Sequence, residues 1–417
     1  MKNLFLMFLV ALANILYVVE VSRHGARAPI TFMPWDNLDR WPYGEKNLLV
    51  EGMRQHYILG QYLRSRYIEQ THFLQNTYNS SEIKVYSTNI SRTYYSMQSQ
   101  LLGLYPQETL SHYSPTVPIS IESPSLIAKG PHIPIFTDTK TIEPMLLSED
   151  YCTNFKNHVV QQKASIEYAQ LFKNHQIILG AVANYFNTTK EKSVGQFLNV
   201  LGSATSNQFM GYSIPFEFDE NWIKKSQKLY IEIRTLLRYS NEYVQKFAAS
   251  QFFNELISQY EAKINKETEL KAVLYSAHDT TIMNIFATLN IPLQEQPPYA
   301  SIILFELYQF GMEFRVKLMY NNSPVRLPPC EADYCKFSVF KSYVQSRTFR
   351  NFTSACENMP QFTKNVEKLF MQERKFESSS SLLQDELEGS SLLLFINFSL
   401  MLIVITSLYY IIKKIPR

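Results

Sequence analysis

Glycine is scarce in this chain, 12 residues in 417. That excludes collagen-like, linker-like and glycine-rich architectures. No long basic or acidic block occurs, and charge is balanced at 40 Lys and Arg against 37 Asp and Glu. The balance argues against nucleic-acid binding through a basic face. No internal repeat is visible. No stretch has metal-ligand spacing either: Cys330 and Cys335 stand as C-x4-C without histidine partners, which is wrong for zinc. What the chain does have is apolar substance. Hydrophobic residues make up 46% of it, with 27 Tyr and 28 Phe. A sizeable core is therefore within reach and a wholly disordered chain is excluded. The length allows one large domain or two to three ordinary ones.

The two ends read as processing and anchoring segments. Lys2 is followed by an apolar run from Leu4 to Leu12, and Ala11-Leu12-Ala13 offers a small-x-small cleavage pattern. Residues 1–13 are thus expected to be a secretory signal peptide, with Asn14 as the new N-terminus. Leu392 to Ile412 carries no charge, and its 21 residues cover about 30 Å as a helix, one bilayer. Lys413, Lys414 and Arg417 follow, so residues 413–417 are expected on the cytoplasmic side. A Ser- and acid-rich tether spans 377–391. The expected product is a single-pass type I membrane protein whose bulk, residues 14–376, lies in a lumen or outside the cell.

Cysteine and glycosylation signals agree with that compartment. The four cysteines allow three pairings. An oxidised Cys330–Cys335 pair closing a small loop leaves Cys152 for Cys356. Asn-x-Ser/Thr sequons occur at Asn79, Asn89, Asn187, Asn321 and Asn351. Asn397 also fits but falls inside the expected span.

Between the ends, Tyr17–Ser22, Ile83–Thr88, Ala272–Ser276, Ile302–Leu307 and Phe314–Met319 read as strands, the last two separated by Gly311. Asn47–Tyr67 has helical spacing, and a helical stretch starts at Ser91. Residues of about 155–262 are helical in pattern. An α/β core carrying a helical insertion, about 105–262, accounts for this order.

Three reactive clusters follow strands. The first is Arg23-His24-Gly25-Ala26-Arg27-Ala28-Pro29. Guanidinium forks match phosphate or carboxylate, and nearby positive charge keeps an imidazole neutral and nucleophilic. The second is Ser87-Thr88-Asn89-Ile90-Ser91-Arg92-Thr93. The third is Tyr275-Ser276-Ala277-His278-Asp279-Thr280-Thr281. The other six histidines, His56, His72, His112, His132, His158 and His175, have no partnered context and read as structural or surface residues.

These residues resemble the histidine acid phosphatases of the phosphoglycerate-mutase-like superfamily. Arg23-His24-Gly25-x-Arg27-x-Pro29 matches that family's signature, and His278-Asp279 its distal pair. Gly52–Tyr57 with Leu63–Tyr67, Ser87–Arg92, Pro297–Ser301, Glu306–Tyr308 and Leu327-Pro328-x-Cys330 resemble further family segments, so the likeness runs from 17 to 356. With its single late span the chain is most similar to the branch of lysosomal and prostatic acid phosphatases. The resemblance implies a mixed-sheet core with helices on both faces and a smaller, mainly helical domain. It implies His24 as nucleophile forming a phosphohistidine. Arg23, Arg27, Arg92 and His278 would bind the phosphoryl group, and Asp279 would donate the proton. It implies a phosphomonoester substrate, no metal or other cofactor, and a homodimer as an open arrangement. Ala26 departs from the acidic residue of many members, the insertion does not match, and the tail lacks a Tyr-based sorting motif, so lysosome, other endomembrane and cell surface all stay open. A dedicated lysophospholipid or inositol-phosphate phosphatase shares the chemistry. A silent receptor on the same scaffold would have lost His24 or Asp279, and both are present.

Overall fold

The computed structural model describes residues 14–106 and 133–357. The expected signal peptide, tether, span and cytoplasmic tail lie outside them. Among the described residues, no helix is long and apolar enough to cross a membrane.

A seven-stranded mixed sheet forms the core. Its strands are β1 (Asn14–Arg23), β2 (Ile83–Ser87), β3 (Ala272–Ala277), β4 (Ile302–Phe310), β5 (Glu313–Tyr320), β6 (Ser323–Val325) and β7 (Tyr334–Lys336). The order is β2-β3-β1-β4-β5-β6, with β7 also on β5. β1 runs parallel to β3, and β3 parallel to β2, whereas β4 runs antiparallel to β1. The five strands expected from sequence are all present. β6 and β7 were not expected, since three residues are too few to show alternation. β4 and β5 form a hairpin in which Phe310 faces Glu313 and Gly311 takes a positive φ of 58°.

The central strands read as continuous apolar runs because both faces are covered. Successive side chains point to opposite faces. Val19, Val21, Val273, Tyr275, Ile303 and Phe305 enter one core, together with Phe252, Ile282, Phe286 and Phe340 from helices. Val18, Ala272, Leu274, Ile302 and Leu304 enter the other, against Leu63, Met97, Leu101 and Leu104. The helices on this second face are α1 (Val50–Arg64) and α2 (Ser91–Leu104). The Arg66-Tyr67 segment that follows α1 closes back on β4. Arg66 forks onto the buried Glu306 at 2.8 and 2.9 Å, and Tyr67 donates to the same carboxylate at 2.6 Å.

From residue 133 to β3 the described chain is mainly helical. It runs through α3 (Ile142–Leu146), α4 (Ser148–Tyr151), α5 (Thr153–Lys163), α6 (Ile166–Asn174) and α7 (Gln176–Tyr185). Then come α8 (Lys190–Phe209), α9 (Glu220–Arg238) and α10 (Glu242–Ile264). Residues from α6 to α9 build a core of their own around Phe197, Phe218 and Trp222. After the sheet's third strand come α11 (Asp279–Thr288), α12 (Phe337–Ser346) and α13 (Phe352–Glu357). Cys152 pairs with Cys356, tying the start of α5 to α13, and Cys330 pairs with Cys335. Among the sequons, Asn89, Asn187, Asn321 and Asn351 are exposed and Asn79 is half-buried.

Glu20 is the one carboxylate on the central strand, fully buried, and accepts a hydrogen bond from Gln100 at 3.0 Å. Burial pushes its pKa from the ordinary 4.5 up to about 8. Across that window the native state keeps a proton that the unfolded chain has released. The contribution of this group to stability is therefore present at acid pH and falls as pH rises, by about 1.4 kcal/mol per unit. Glu20→Gln should remove that slope, so that the variant gains on the native protein at pH 8 relative to pH 4.5. Urea unfolding at both values checks this, and an equal difference at the two pH values would count against it.

Candidate active site

The register of three parallel strands builds the site. Arg23 of β1 lies beside Ala277 of β3, and Ser87 of β2 beside Ser276. Their carboxyl ends therefore fall level, where open α/β sheets gather their ligands. His24, Thr88 and His278 are each the first residue past a strand. The His24 N–H donates to the Ala277 carbonyl at 3.0 Å, and the Thr88 N–H to that of Ser276 at 3.2 Å. The chain then crosses the start of α1 so closely that a Cβ on Gly25 would lie 2.3 Å from the Gly52 carbonyl oxygen. A Cβ on Gly52 would lie 2.2 Å from that of Ala26. Two of the few glycines are spent on this one crossing, which turns His24 into the cavity.

The protons on the two imidazoles follow from their partners. His24 Nδ1 sits 2.8 Å from the Gly25 carbonyl oxygen. A carbonyl only accepts, so Nδ1 carries the hydrogen and Nε2 of the neutral ring keeps its lone pair. Burial and then Arg92, Arg23, His278 and Arg27 hold the His24 pKa well below 6.5. At His278 the Arg92 guanidinium, which only donates, faces Nδ1 at 3.5 Å, and Nε2 lies 3.0 Å from Thr88 Oγ1. The His278 proton therefore sits on Nε2. Burial and Arg92 press its pKa down to about 3 against the opposing pull of Asp279. The rings of His24 and His278 stand edge to face at 5.7 Å.

Asp279 opens α11. Its carboxylate accepts from Gln296 and from the Thr280 N–H, and lies 3.7 Å from the Arg23 guanidinium. Burial pushes its pKa up, but Arg23, the Gln296 hydrogen bond, Arg234 and Arg27 outweigh it and hold the acid well below the usual carboxylate range. Arg23 is also held by the Pro297 carbonyl and stacks 4.4 Å over the Tyr299 ring. Burial and the neighbouring Arg27 lower the Arg92 pKa to about 10. Among the described residues the Nε–H donors of Arg23, Arg27 and Arg92 are buried without a partner. The site thus concentrates three cations and spare donors around a neutral imidazole, an arrangement suited to a tetrahedral dianion.

All six residues expected from the sequence line one cavity. Residues 14–321 match the model of the histidine phosphatase superfamily, branch 2. The chain is a branch 2 histidine phosphatase. The prostatic acid phosphatase of Bos taurus is 26% identical over 352 residues, 82% of this phosphatase and 87% of its own chain. The lysosomal acid phosphatase of Xenopus laevis is 29% identical over 354 residues, 82% and 78%. Among solved structures, a Klebsiella sp. ASR1 phytase shares the fold with a TM-score of 0.61 at 15% identity, covering 82% of this chain and 97% of its own. The phytase of Citrobacter braakii does so at 0.59 and 16%, covering 81% and 99%.

Sequence reasoning left several neighbours of this site without a role. Thr88 belongs to the second cluster, yet nothing in the sequence marks it as the partner of His278. Gln296 and Tyr299 flank two prolines in a loop with no reactive pattern. Arg234 acts on Asp279 from the middle of α9, more than forty positions away in sequence. His56, expected to be structural or at the surface, is buried. Its Nε2 lies 2.9 Å from the carbonyl oxygen of Arg23 and its Nδ1 3.0 Å from Gln100, so it braces the strand end from below.

Burial and then the guanidiniums keep His24 neutral into acid pH. Arg92→Gln removes one of the charges that disfavour the imidazolium, so the His24 pKa should rise. The acid limb of kcat/KM, which reports the free enzyme, should therefore move upward in pH. A pH profile of the residual activity checks the shift. An unmoved or lowered limb contradicts the electrostatic account.

Proposed function

We propose that this phosphatase is an acid phosphatase that hydrolyses phosphomonoesters through a phosphohistidine on His24. The observation that carries the reading is the His24 ring. It is buried among Arg23, Arg27 and Arg92, and its Nδ1 proton is committed to the Gly25 carbonyl. Nε2 attacks phosphorus and the ester P–O bond breaks, its electron pair passing to the leaving oxygen. Asp279 gives that oxygen a proton. Water then attacks phosphorus, the P–N bond breaks, and its electron pair returns to Nε2. The water proton goes to Asp279, which is ready for another turn.

The donor must be loaded first. Arg23 and its neighbours favour the ionised form of Asp279. A bound phosphate engages Arg23, Arg27 and Arg92 and adds negative charge beside the carboxylate, and both effects raise its pKa. Below the second phosphate pKa of about 6 the ester also arrives carrying a proton. Acid conditions therefore load the donor, while the arginines keep His24 unprotonated.

We place the enzyme in a lumenal or extracellular compartment, held by a single late span. The disulfides Cys152–Cys356 and Cys330–Cys335 and the exposed sequons support an oxidising compartment.

Trapping is the direct test. Radiolabelled substrate, acid-free quenching and peptide mapping should place the label on His24 in the native protein, and His24→Ala should abolish it. For Asp279→Ala the expected loss depends on the leaving group. An alkyl phosphate such as glycerol 2-phosphate should lose about 10²–10⁴ in the first chemical step. A nitrophenyl phosphate, whose leaving oxygen needs little help, should lose far less. Equal factors on both, measured before the steady state, would remove Asp279 from the donor role and leave it to orient its neighbours.

A further inference from the structure

The cavity has a second wall that the phosphoryl chemistry does not use. Leu198, Leu201, Gly202 and Thr205 line it from α8, with Asn199 at their edge. Their spacing of three, four and seven positions is one face of a helix. That face is fixed in place twice. Buried Asp36, from the chain that follows the nucleophile loop, accepts from Ser203 at 2.8 Å and from Asn207 at 2.6 Å. Tyr299, beside His24, meets Ser206 at 3.3 Å and the Phe209 ring at 5.6 Å.

Gly202 is the odd member of the stripe. Glycine inside a helix costs about 1 kcal/mol relative to alanine. Close packing gives no reason for it, since an added Cβ would meet nothing within 4 Å. Its missing side chain leaves the space of a cavity of about 380 Å³ open. The charge on this side is also one-sided. Beyond Arg23, Arg27 and Arg92 no Lys or Arg among the described residues lines the cavity, while Glu149 and Asp150 do. Glu149 is already paired with Arg234 at 3.3 Å and with Arg238. Asp150 is exposed at the cavity with aliphatic Ile30, Leu147, Leu198 and Leu201 for company.

We propose that the α8 stripe centred on Gly202 is the leaving-group subsite, and that it selects phosphomonoesters with an uncharged, largely apolar leaving group. The proposal rests on the phosphatase reading above. Apolar surface on the leaving group is removed from water against Leu198 and Leu201. A leaving group bearing more phosphates meets no cation on this wall and one carboxylate. It would be desolvated beside aliphatic side chains, which disfavours it.

The test uses the full chain and three substrates: phenyl phosphate, 2-naphthyl phosphate and inositol hexakisphosphate. The first two have leaving oxygens of similar basicity, so they differ in apolar bulk and not in chemistry. The native enzyme should favour 2-naphthyl over phenyl phosphate by about tenfold in kcat/KM, through KM, as expected for added apolar contact. Inositol hexakisphosphate should be the poorest of the three. Gly202→Leu fills the open space and should lower kcat/KM for the naphthyl ester about tenfold more than for the phenyl ester. Leu198→Lys, at an exposed position where folding is not at stake, should raise turnover of inositol hexakisphosphate several-fold and weaken the naphthyl preference. Equal losses for the two aryl esters in Gly202→Leu, or a native enzyme that takes the hexakisphosphate as well as phenyl phosphate, would overturn the subsite. If Gly202→Leu does not fold, the native preference and Leu198→Lys decide. Failure of the native enzyme on all three esters would instead strike the phosphatase reading itself.

Discussion

One proton on one ring nitrogen governs the site. His24 Nδ1 is held by the carbonyl of the next residue, so Nε2 is the only nitrogen of that ring with a free electron pair. A histidine offered to solvent near pH 6.5 would be half protonated and useless as a nucleophile in acid. Burial prevents this, and three guanidiniums reinforce it: Arg92, Arg23 and Arg27. The same guanidiniums that would bind the phosphoryl oxygens thus also help keep the imidazole neutral. Burial first, and then their mutual repulsion, depress the pKa of Arg92, and a bound phosphate would relieve the repulsion. In the proposed function, binding and activation would be one electrostatic arrangement, which would account for the arginines clustered around the imidazole.

The fold supplies the rigidity this arrangement needs. Parallel β1 and β3 bring Arg23 level with Ala277, so two clusters separated by about 250 positions meet without any adjustable loop between them. The peptide after β1 is then gripped from three sides. Ala277 accepts from the His24 N–H, His56 takes the Arg23 carbonyl, and Ser96 of α2 accepts from the Gly25 N–H at 3.0 Å. His56 reaches through Gln100 toward Glu20, deep in the sheet. These buried polar groups stay neutral because the interior disfavours charge on either end: Glu20 moves up to about 8 and His56 down to about 4.

Much of this was legible in the residues, and the limit is physical. The five longer strands were readable because both faces are buried, which leaves runs such as YVVEV in the sequence. The clusters at 23–27, 92 and 278–279 were readable because arginines around an imidazole have few other uses. The cysteine pairs follow the expected partners. Illegible were the residues whose meaning is positional. Gln296 and Thr88 carry common side chains whose hydrogen bonds depend on where a loop or strand ends in space. Arg234 looked like any basic residue on an amphipathic helix. His56 lacked a sequence partner because both of its partners, the Arg23 carbonyl and Gln100, are distant in the chain. Helical periodicity showed that 155–262 is helical, but one apolar stripe looks like another. It could not say which stripe faces the cavity and which the core around Trp222.

That last limit reflects a division of labour in the molecule. The sheet edge provides the groups of the proposed chemistry, each fixed by backbone register. The helical block provides α8, whose exposed face lines the same cavity with side chains that need only the right size and polarity. A change at the sheet edge disturbs coupled charges, since Arg23 alone touches Tyr299, Pro297 and Asp279. A change at Leu198 or Gly202 touches no hydrogen bond of the cradle. The buried contacts of α8 lie one step along the helix, at Ser203, Ser206 and Asn207, which grip Asp36 and Tyr299. The helix is therefore held by one face and free to vary on the adjoining one. If the proposed roles hold, a fold built in this way could retune what it accepts while His24 and the three arginines stay where the sheet puts them.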